Sequence, residues 1–226
     1  MGTRSRRAKT KRWEPAAPPE DLAREEEILQ AAFDVFTDKG FHGARMLDVA
    51  NRARASKATL YARYPSKEAL FEALMAWSTR QGTEALDAIA ADQTLDPLAA
   101  LHRFAAHLLA LMLQPKKLAL FRIAVAEGHR LSAVGRTYSA FTRDHGIERV
   151  RAIVARLVKQ GLIEIDDRAE FGHSFIGLLQ GELFSRALLG TIPSPDREEI
   201  DRHAKRAVTR LMRAYAPSGQ LTLRSR

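Results

Sequence analysis

The chain contains no cysteine in 226 residues. That absence excludes a disulfide framework, a thiolate nucleophile and a Cys-ligated zinc in one step. No apolar run approaches 18 residues, so no membrane span is expected and none of the partners is a bilayer. The N-terminus is basic but lacks the apolar segment of a secretory signal, which makes the cytoplasm the expected location. Alternating β-branched stretches are missing too. The nearest is Leu162-Ile163-Glu164-Ile165, which reads as a helix end or a loop. Catalytic signatures are absent: there is no HExxH, no Walker loop and no nucleophile elbow. The carboxylates form no evident acid–base pair. His102 and His107 stand five apart, on different faces of any helix, so no metal site and no cofactor are expected.

Apolar residues are plentiful, at 46%, enough for a real core. Bases exceed acids by nine, and the excess is unevenly placed. Arg4, Arg6, Arg7, Lys9, Lys11 and Arg12 stand in the first twelve residues with no acid among them. From Lys39 to Lys67 there are seven bases, and Asp48 is the one acid. The remainder is slightly acidic. A lone charge run is as often a solvated face as a binding site. Two runs bracketing one compact segment point to a polyanion, and first to nucleic acid.

The chain reads as helical almost throughout. Residues 1–20 form a basic, then Pro-rich, arm (Pro15, Pro18, Pro19) that opposes both helix and sheet. A first helix is expected from about Asp21 to Asp38, with Ile28, Ala32, Val35 and Phe36 on one face. Gly40 then stops it and lets Phe41 fold back on Phe36. A short second helix covers Met46 to Arg52. After the tight Ala53-Arg54-Ala55 connection, Ser56 caps a third, from Lys57 to Arg63. Pro65 blocks continuation, and Ser66 caps a fourth helix carrying Leu70, Phe71, Leu74 and Trp77. Later helices are expected from Pro97 to near Pro115, Lys116 to Gly128, Tyr138 to Gln160, Ala169 to Leu189, and Pro195 to Ala214. The resulting division is an arm over 1–20, a DNA-binding unit over 21–78, a helical unit over 79–216 and a loose tail over 217–226.

Two short helices joined by a tight turn are not stable alone; they need outer helices to clamp them. The first and fourth helices supply that clamp and present the third outward, where its width fits a DNA major groove. Leu60 and Tyr64, at i and i+4, face inward. Ala58, Thr59, Tyr61 and Ala62 face a groove, with the small residues allowing close approach. Lys57, Arg63 and Lys67 are placed for phosphates, as is the Ser56 end of the third helix.

Ala31-Ala32, Phe36, Lys39-Gly40-Phe41, Asp48-Val49-Ala50, Ser56-Lys57, Thr59-Leu60-Tyr61, Tyr64, Ser66-Lys67-Glu68 and Leu70 fall in an order and spacing that resemble the DNA-binding domain of the TetR family of bacterial regulators. One departure is that Ala44 and Arg45 stand where the family usually carries a Thr or Ser toward phosphate; Arg45 substitutes a charged contact. Phe121 to Glu127, Gly177 to Gly181 and Phe184 to Gly190 resemble the AefR-type C-terminal domain of the same family. The resemblance implies an all-α fold: a three-helix reader followed by a helical ligand-binding and dimerisation bundle. It implies a homodimer formed largely by the last two long helices, a double-stranded DNA operator and a small hydrophobic or amphipathic ligand. The pocket residues expected from mixed aromatic, adaptable and polar character are Trp77, Phe104, His107, Leu108, Met112, Phe121, Val125, Tyr138, Phe141, Phe175 and Gln180. Gly177 and Gly181, four apart on a broadly apolar helix, permit close helix approach. Two competing readings remain at this stage: a structural nucleoid-type DNA binder that takes no ligand, which would not need the long C-terminal half, and an all-helical enzyme.

Overall fold

A computed structural model describes residues 19–130 and 148–217, with side chains from 21 onward. Its helices are α1 (Pro19–Gly43), α2 (Met46–Arg52), α3 (Lys57–Arg63), α4 (Lys67–Arg80), α5 (Glu84–Ala91), α6 (Pro97–Met112), α7 (Pro115–Glu127), α8 (described over 148–159), α9 (Arg168–Leu189) and α10 (Arg197–Ala214). No strand occurs among the described residues. The fold is all-α.

Local chemistry sets the boundaries. Gly40 takes φ 70 and ψ 173, a conformation closed to most L-residues, and interrupts α1 there. The break turns Phe41 back onto Phe36, ring centroids 5.8 Å apart. Ser56 Oγ accepts from the Thr59 N–H at 3.0 Å and starts α3. Ser66 Oγ does the same for Ala69 at 3.1 Å and starts α4. Asp96, Asp167 and Asp196 cap α6, α9 and α10 in the same way. The helix α5, between Gly82 and the Asp96–Pro97 start signal, was not among those expected from sequence. The Leu162–Ile165 stretch is a loop; Ile163 is buried, and the Glu164 N–H donates to the Tyr215 carbonyl at 2.9 Å.

Two apolar cores result. The first gathers α1 to α4 around Phe36, Phe71, Leu60, Leu70 and Leu74, all at or near zero exposure. Phe36, Phe41 and Phe71 meet there at 5.1 to 5.8 Å. The second gathers α5, α6, α8, α9 and α10 around Leu101, Phe104, Ile153, Phe175, Leu179 and Leu211. Full burial of each such side chain contributes about 1.5–3 kcal/mol relative to exposure.

The helix α7 belongs to both cores. Leu118 enters the second, whereas Leu120 and Ala124 enter the first against α1. Its polar side chains tie the same elements. Lys116 pairs with Asp34 of α1 at 2.5 Å. Lys117 donates to the Ser78 and Gln81 carbonyls at the end of α4. Arg122 donates to the Ala187 and Leu188 carbonyls at the end of α9, at 2.8 and 2.6 Å. Glu127, almost buried, meets His42 at 2.9 Å.

Candidate nucleic-acid interface

The tight connection between α2 and α3 closes when the Ala55 N–H donates to the Ala50 carbonyl at 2.8 Å. Arg54 sits in it with φ 51, a left-handed conformation unusual for a non-glycine. Its carbonyl accepts from the Arg24 guanidinium at 2.8 Å, which holds the turn from α1. Met46, Val49 and Ala50 of α2 are buried, as is Ala53 beyond it. The pair α2–α3 is therefore a rigid bracket packed on α1 and α4.

The helix α3 is anchored by Leu60, fully buried, and Tyr64, 6% exposed. Burial and the neighbouring Glu25 carboxylate push the Tyr64 phenol far above its ordinary pKa. It stays protonated and donates to Glu25 Oε1 at 3.3 Å. Lys57, Ala58, Thr59, Tyr61 and Ala62 are exposed, Tyr61 at 41%. The two tyrosines thus differ in burial: Tyr64, at the extended C-cap of α3, turns into the core, whereas Tyr61 stays exposed. The Lys57 ammonium lies 5.7 Å from the Tyr61 ring centroid. The Thr59 hydroxyl lies 2.7 Å from the Ser56 hydroxyl, so the first turn of α3 presents a connected pair of hydroxyls.

The expected phosphate contacts divide into two groups. Arg45, exposed at the head of α2, and Lys57 have no ion-pair partner among the described residues. The same holds for Arg54, which sequence reasoning did not place in the site. Arg63 and Lys67 are engaged within the protein. Arg63 pairs with Asp21 of α1 at 2.6 Å and approaches Glu25 at 3.9 Å. Lys67 turns inward: its ammonium donates to the Phe41 and Ala44 carbonyls at 2.8 and 3.2 Å and lies 4.6 Å from the Phe41 ring centroid. It clamps the segment that leads into Arg45. In the same way Lys39 pairs with Asp48 at 2.9 Å, and Asp48 also accepts from the Arg45 N–H at 3.3 Å. The hydrogen bond from Lys39 holds the Asp48 carboxyl below the usual carboxylate range. What remains exposed without an ion-pair partner among the described residues is Arg45, Arg54 and Lys57, with Tyr61 beside Lys57.

The expected small-molecule pocket does not assemble as one site. Phe104 and Phe175 are buried together in the second core, centroids 6.4 Å apart. Leu108, Met112 and Phe121 pack partly buried against it, Phe121 on Phe184 at 5.5 Å, and Gln180 is half-buried. Trp77 lies in the first core, edge-on to Phe33, with its buried Nε1–H unpartnered. Two residues must be removed from the list. Val125 is 62% exposed, because α7 buries its Leu120 and Ala124 side instead. His107 is exposed on α6, where its Nδ1 stays 3.0 Å from the Arg103 carbonyl of its own helix. Tyr138 and Phe141 lie outside the described residues, as do the arm bases Arg4 to Arg12. An apolar groove of about 600 Å³ lies elsewhere, between α8 and the start of α9, lined by Val150, Val154, Val158, Ile165 and Phe171 and edged by Arg151. No cluster of three or more His, Asp or Glu suited to a metal occurs among the described residues. Nor is any described helix long and apolar enough to cross a membrane.

Residues 99–217 match the family model described as AefR-like transcriptional repressor, C-terminal domain, and residues 28–74 match that of the bacterial regulatory proteins, tetR family. The transcriptional regulator RutR of Escherichia coli K12 is 45% identical over 53 residues, 24% of this chain and 25% of RutR. The transcriptional activator FasR of Mycolicibacterium smegmatis is 43% identical over 49 residues, 22% of each chain. This chain therefore spans about a quarter of the length of the curated relatives it matches. Solved structures match over nearly the whole fold. A TetR-family regulator from Mesorhizobium loti superposes with a TM-score of 0.79 at 23% identity, covering 88% of this chain and all of that one. The flavonoid-responsive regulator FrrA superposes with a TM-score of 0.67 at 27% identity, covering 87% and 99%. A TetR regulator from Agrobacterium tumefaciens gives 0.67 at 24% identity, covering 86% and 95%.

Proposed function

The chain belongs to the TetR family of bacterial regulatory proteins, and from that premise we propose that it is a non-catalytic, cytoplasmic, dimeric repressor released from a palindromic operator by a small hydrophobic or amphipathic ligand. The observation that carries the reading is the two-sidedness of α3. Leu60 and Tyr64 are locked inside, while Lys57, Ala58, Thr59, Tyr61 and Ala62 stand free on a rigid bracket. That is the arrangement a major groove requires: small residues for approach, a hydroxyl and a phenol for base edges or phosphates, a cation at the helix start. Arg45 serves a phosphate across the groove. Ser56 sets the helix end, and Arg63 and Lys67 act as positioning residues from within.

A second copy would present its own α3 about 34 Å away, one turn along the duplex. Its interface is supported by the apolar outer residues of α8 and its loop, Ala155, Val158 and Leu162, beside the groove toward Phe171. Gly177 of α9 supports it too, since nothing stands within 4 Å of where its Cβ would be. We assign residues 21–78 to reading DNA, 79–216 to ligand binding and dimerisation, and 217–226 to a tail. The ligand class follows from the aromatic interior around Phe104, Phe175 and Phe121, and FrrA, named for its flavonoid response, supports it. A ligand that favours one spacing of the two reading helices weakens DNA binding, and DNA weakens ligand binding by the same factor.

The arm over 1–12 adds phosphate contacts. The helix that follows the arm in sequence carries Asp21, which pairs with Arg63 at the end of α3. Deleting residues 1–12 is expected to weaken DNA binding and flatten its salt dependence. Equal affinity and slope with and without the arm would refute that part. The whole reading is tested by in vitro selection of bound duplexes, repeated with a small-molecule panel. A palindromic consensus released by one of the compounds supports it. Recovery of random or non-palindromic DNA alone overturns it.

A further inference from the structure

The first turn of α2 carries a large apolar side chain that the first core leaves out. Leu47 is 55% exposed. Its neighbours Met46, Val49 and Ala50 are buried. Asp48 and Arg52 mark the flank of α2 that meets α1, through Lys39 and Asp34. At about 100° per residue, Leu47 stands about 100° from Asp48 and about 140° from Arg52 around the helix. It therefore belongs neither to the core face nor to the α1 flank. Of the reading unit's large hydrophobic side chains, Leu22, near the start of α1, and Tyr61, on α3, are the others exposed among the described residues.

The backbone beneath Leu47 is held on both sides. The Arg45 N–H donates to the Asp48 carboxylate at 3.3 Å, and the Val49 N–H to the Arg45 carbonyl at 3.3 Å. Lys67 holds the Ala44 carbonyl, just before this turn, at 3.2 Å. The surroundings are electropositive. Asp48 is the one acid between Lys39 and Lys67, and Lys39 neutralises it. Arg45, two residues before Leu47, and Lys57, at the head of α3, have no ion-pair partner among the described residues. A leucine held at the edge of a surface suited to a polyanion has few apolar groups to meet there. The major groove of duplex DNA offers one, the 5-methyl of thymine.

We propose that Leu47 is a specificity-determining residue, which packs against a thymine methyl in the major groove beside the phosphate taken by Arg45. The inference rests on the proposed function and adds to it a base contact outside α3. Arg45 and Leu47 lie within one turn of α2, about 5 Å of helix axis. A phosphate contact by the first therefore brings the second to the adjoining base edges. The contact is selective, because cytosine carries a hydrogen where thymine carries the methyl, and the purines present hydrogen-bonding groups in that groove. It needs no hydrogen bond. Discrimination comes from burying apolar area, about fourfold in affinity for one methyl. The helices α9 and α10, expected to join two copies, do not enter the core that holds α2, and the dimer leaves Leu47 free to meet DNA.

The test takes a duplex recovered by selection with the full wild-type chain and replaces each thymine in turn by uracil. That removes the methyl and keeps the base pair. At one position in each half-site, wild type is expected to bind the uracil duplex about fourfold more weakly. Leu47→Ala, a good helix former at an exposed position, keeps the melting curve of wild type. It is expected to bind the unsubstituted duplex at least about fourfold more weakly and to be indifferent to uracil at that position. Leu47→Met, still apolar, retains the preference for thymine. The inference is overturned if Leu47→Ala binds the selected duplex as wild type does, or if uracil costs both proteins alike at every position. It is overturned too if the loss is equal on unrelated duplex, as a contact to the sugar–phosphate backbone would give. Recovery of random DNA alone overturns the proposed function and this inference together. A consensus indifferent to Leu47 overturns this inference alone. A non-palindromic consensus that keeps the uracil effect overturns the operator reading alone.

Discussion

Lys116 of α7 donates to Asp34 of α1 at 2.5 Å, and the same carboxylate accepts from Arg52, the last residue of α2, at 2.9 and 3.2 Å. One acid, 15% exposed at its side chain, thus joins the bridging helix to the helix that positions α3. Sequence reading had no access to this node, because its members are 18 and 82 residues apart.

Asp34→Asn is expected to lower stability by about 1 kcal/mol, the scale of partly exposed ion pairs, and to weaken DNA binding through a loosened α2. Burial opposes ionisation of Asp34. The hydrogen bonds and charges of Lys116 and Arg52 together outweigh it and leave the carboxyl below its ordinary range. A depressed acid contributes stability above its unfolded pKa and loses it as pH falls through the folded one. The urea-midpoint difference between wild type and Asp34→Asn should therefore be full at neutral pH and vanish in strong acid. A difference that persists at acid pH removes the ionised pair as its source.

Lys117 gives a pH dependence of the same sense in a different range, above neutrality. Burial pushes its ammonium down to about 8, against the smaller pull of Glu84. Between that value and the ordinary lysine range the unfolded chain binds a proton that the folded chain has released. Stability then rises with pH. The unfolding midpoint of wild type should climb from about pH 8 toward pH 10 relative to that of Lys117→Met. Parallel profiles would show that Lys117 keeps its proton on the Ser78 and Gln81 carbonyls.

On α3 the inward and outward residues should separate cleanly. Leu60→Ala is expected to cost about 2–5 kcal/mol of stability, as a fully buried truncation. Tyr61→Ala and Thr59→Ala should leave the melting curve nearly unchanged and cost about 1–3 kcal/mol of discrimination at one operator position. Lys57→Gln should weaken binding to all sequences alike and reduce the salt slope by about one. Uniform losses across sequences for Tyr61→Ala would move that residue from base edge to phosphate.

These contrasts also mark what the sequence made legible. The caps Ser56 and Ser66, the Gly40 break with Phe41 on Phe36, and the inward placing of Leu60 are local events. Each is decided within about five residues by φ, by one hydroxyl or by helical period. The inward turn of Lys67 was not legible, because the carbonyls it serves, Phe41 and Ala44, are 26 and 23 residues away. Nor was the exposure of Val125. A helix as apolar as α7 does not declare which side meets a neighbour, and here α1 decides it.

Gly181 shows the same limit at a single residue. Its spacing from Gly177 suggested close helix approach, yet the structure uses it to break α9, at φ 44 and ψ −149. The break leaves the Leu179 carbonyl to the His203 Nε2 of α10, 2.9 Å away. A Cβ at Gly181 would meet His203 Cε1 and Nε2 at 3.1 and 3.3 Å, in a backbone region that L-residues avoid. Gly181→Ala is therefore expected to lower stability by about 1–3 kcal/mol. His203→Ala, which opens the space but leaves the conformation strained, should not rescue it. Gly177→Ala, in helical backbone with open space around it, should raise monomer stability by about 0.5–1 kcal/mol and disturb only an interface between copies. Denaturant midpoints of the three variants, read beside their sedimentation, decide this. Rescue of Gly181→Ala by His203→Ala would place the cost in the contact instead of the backbone.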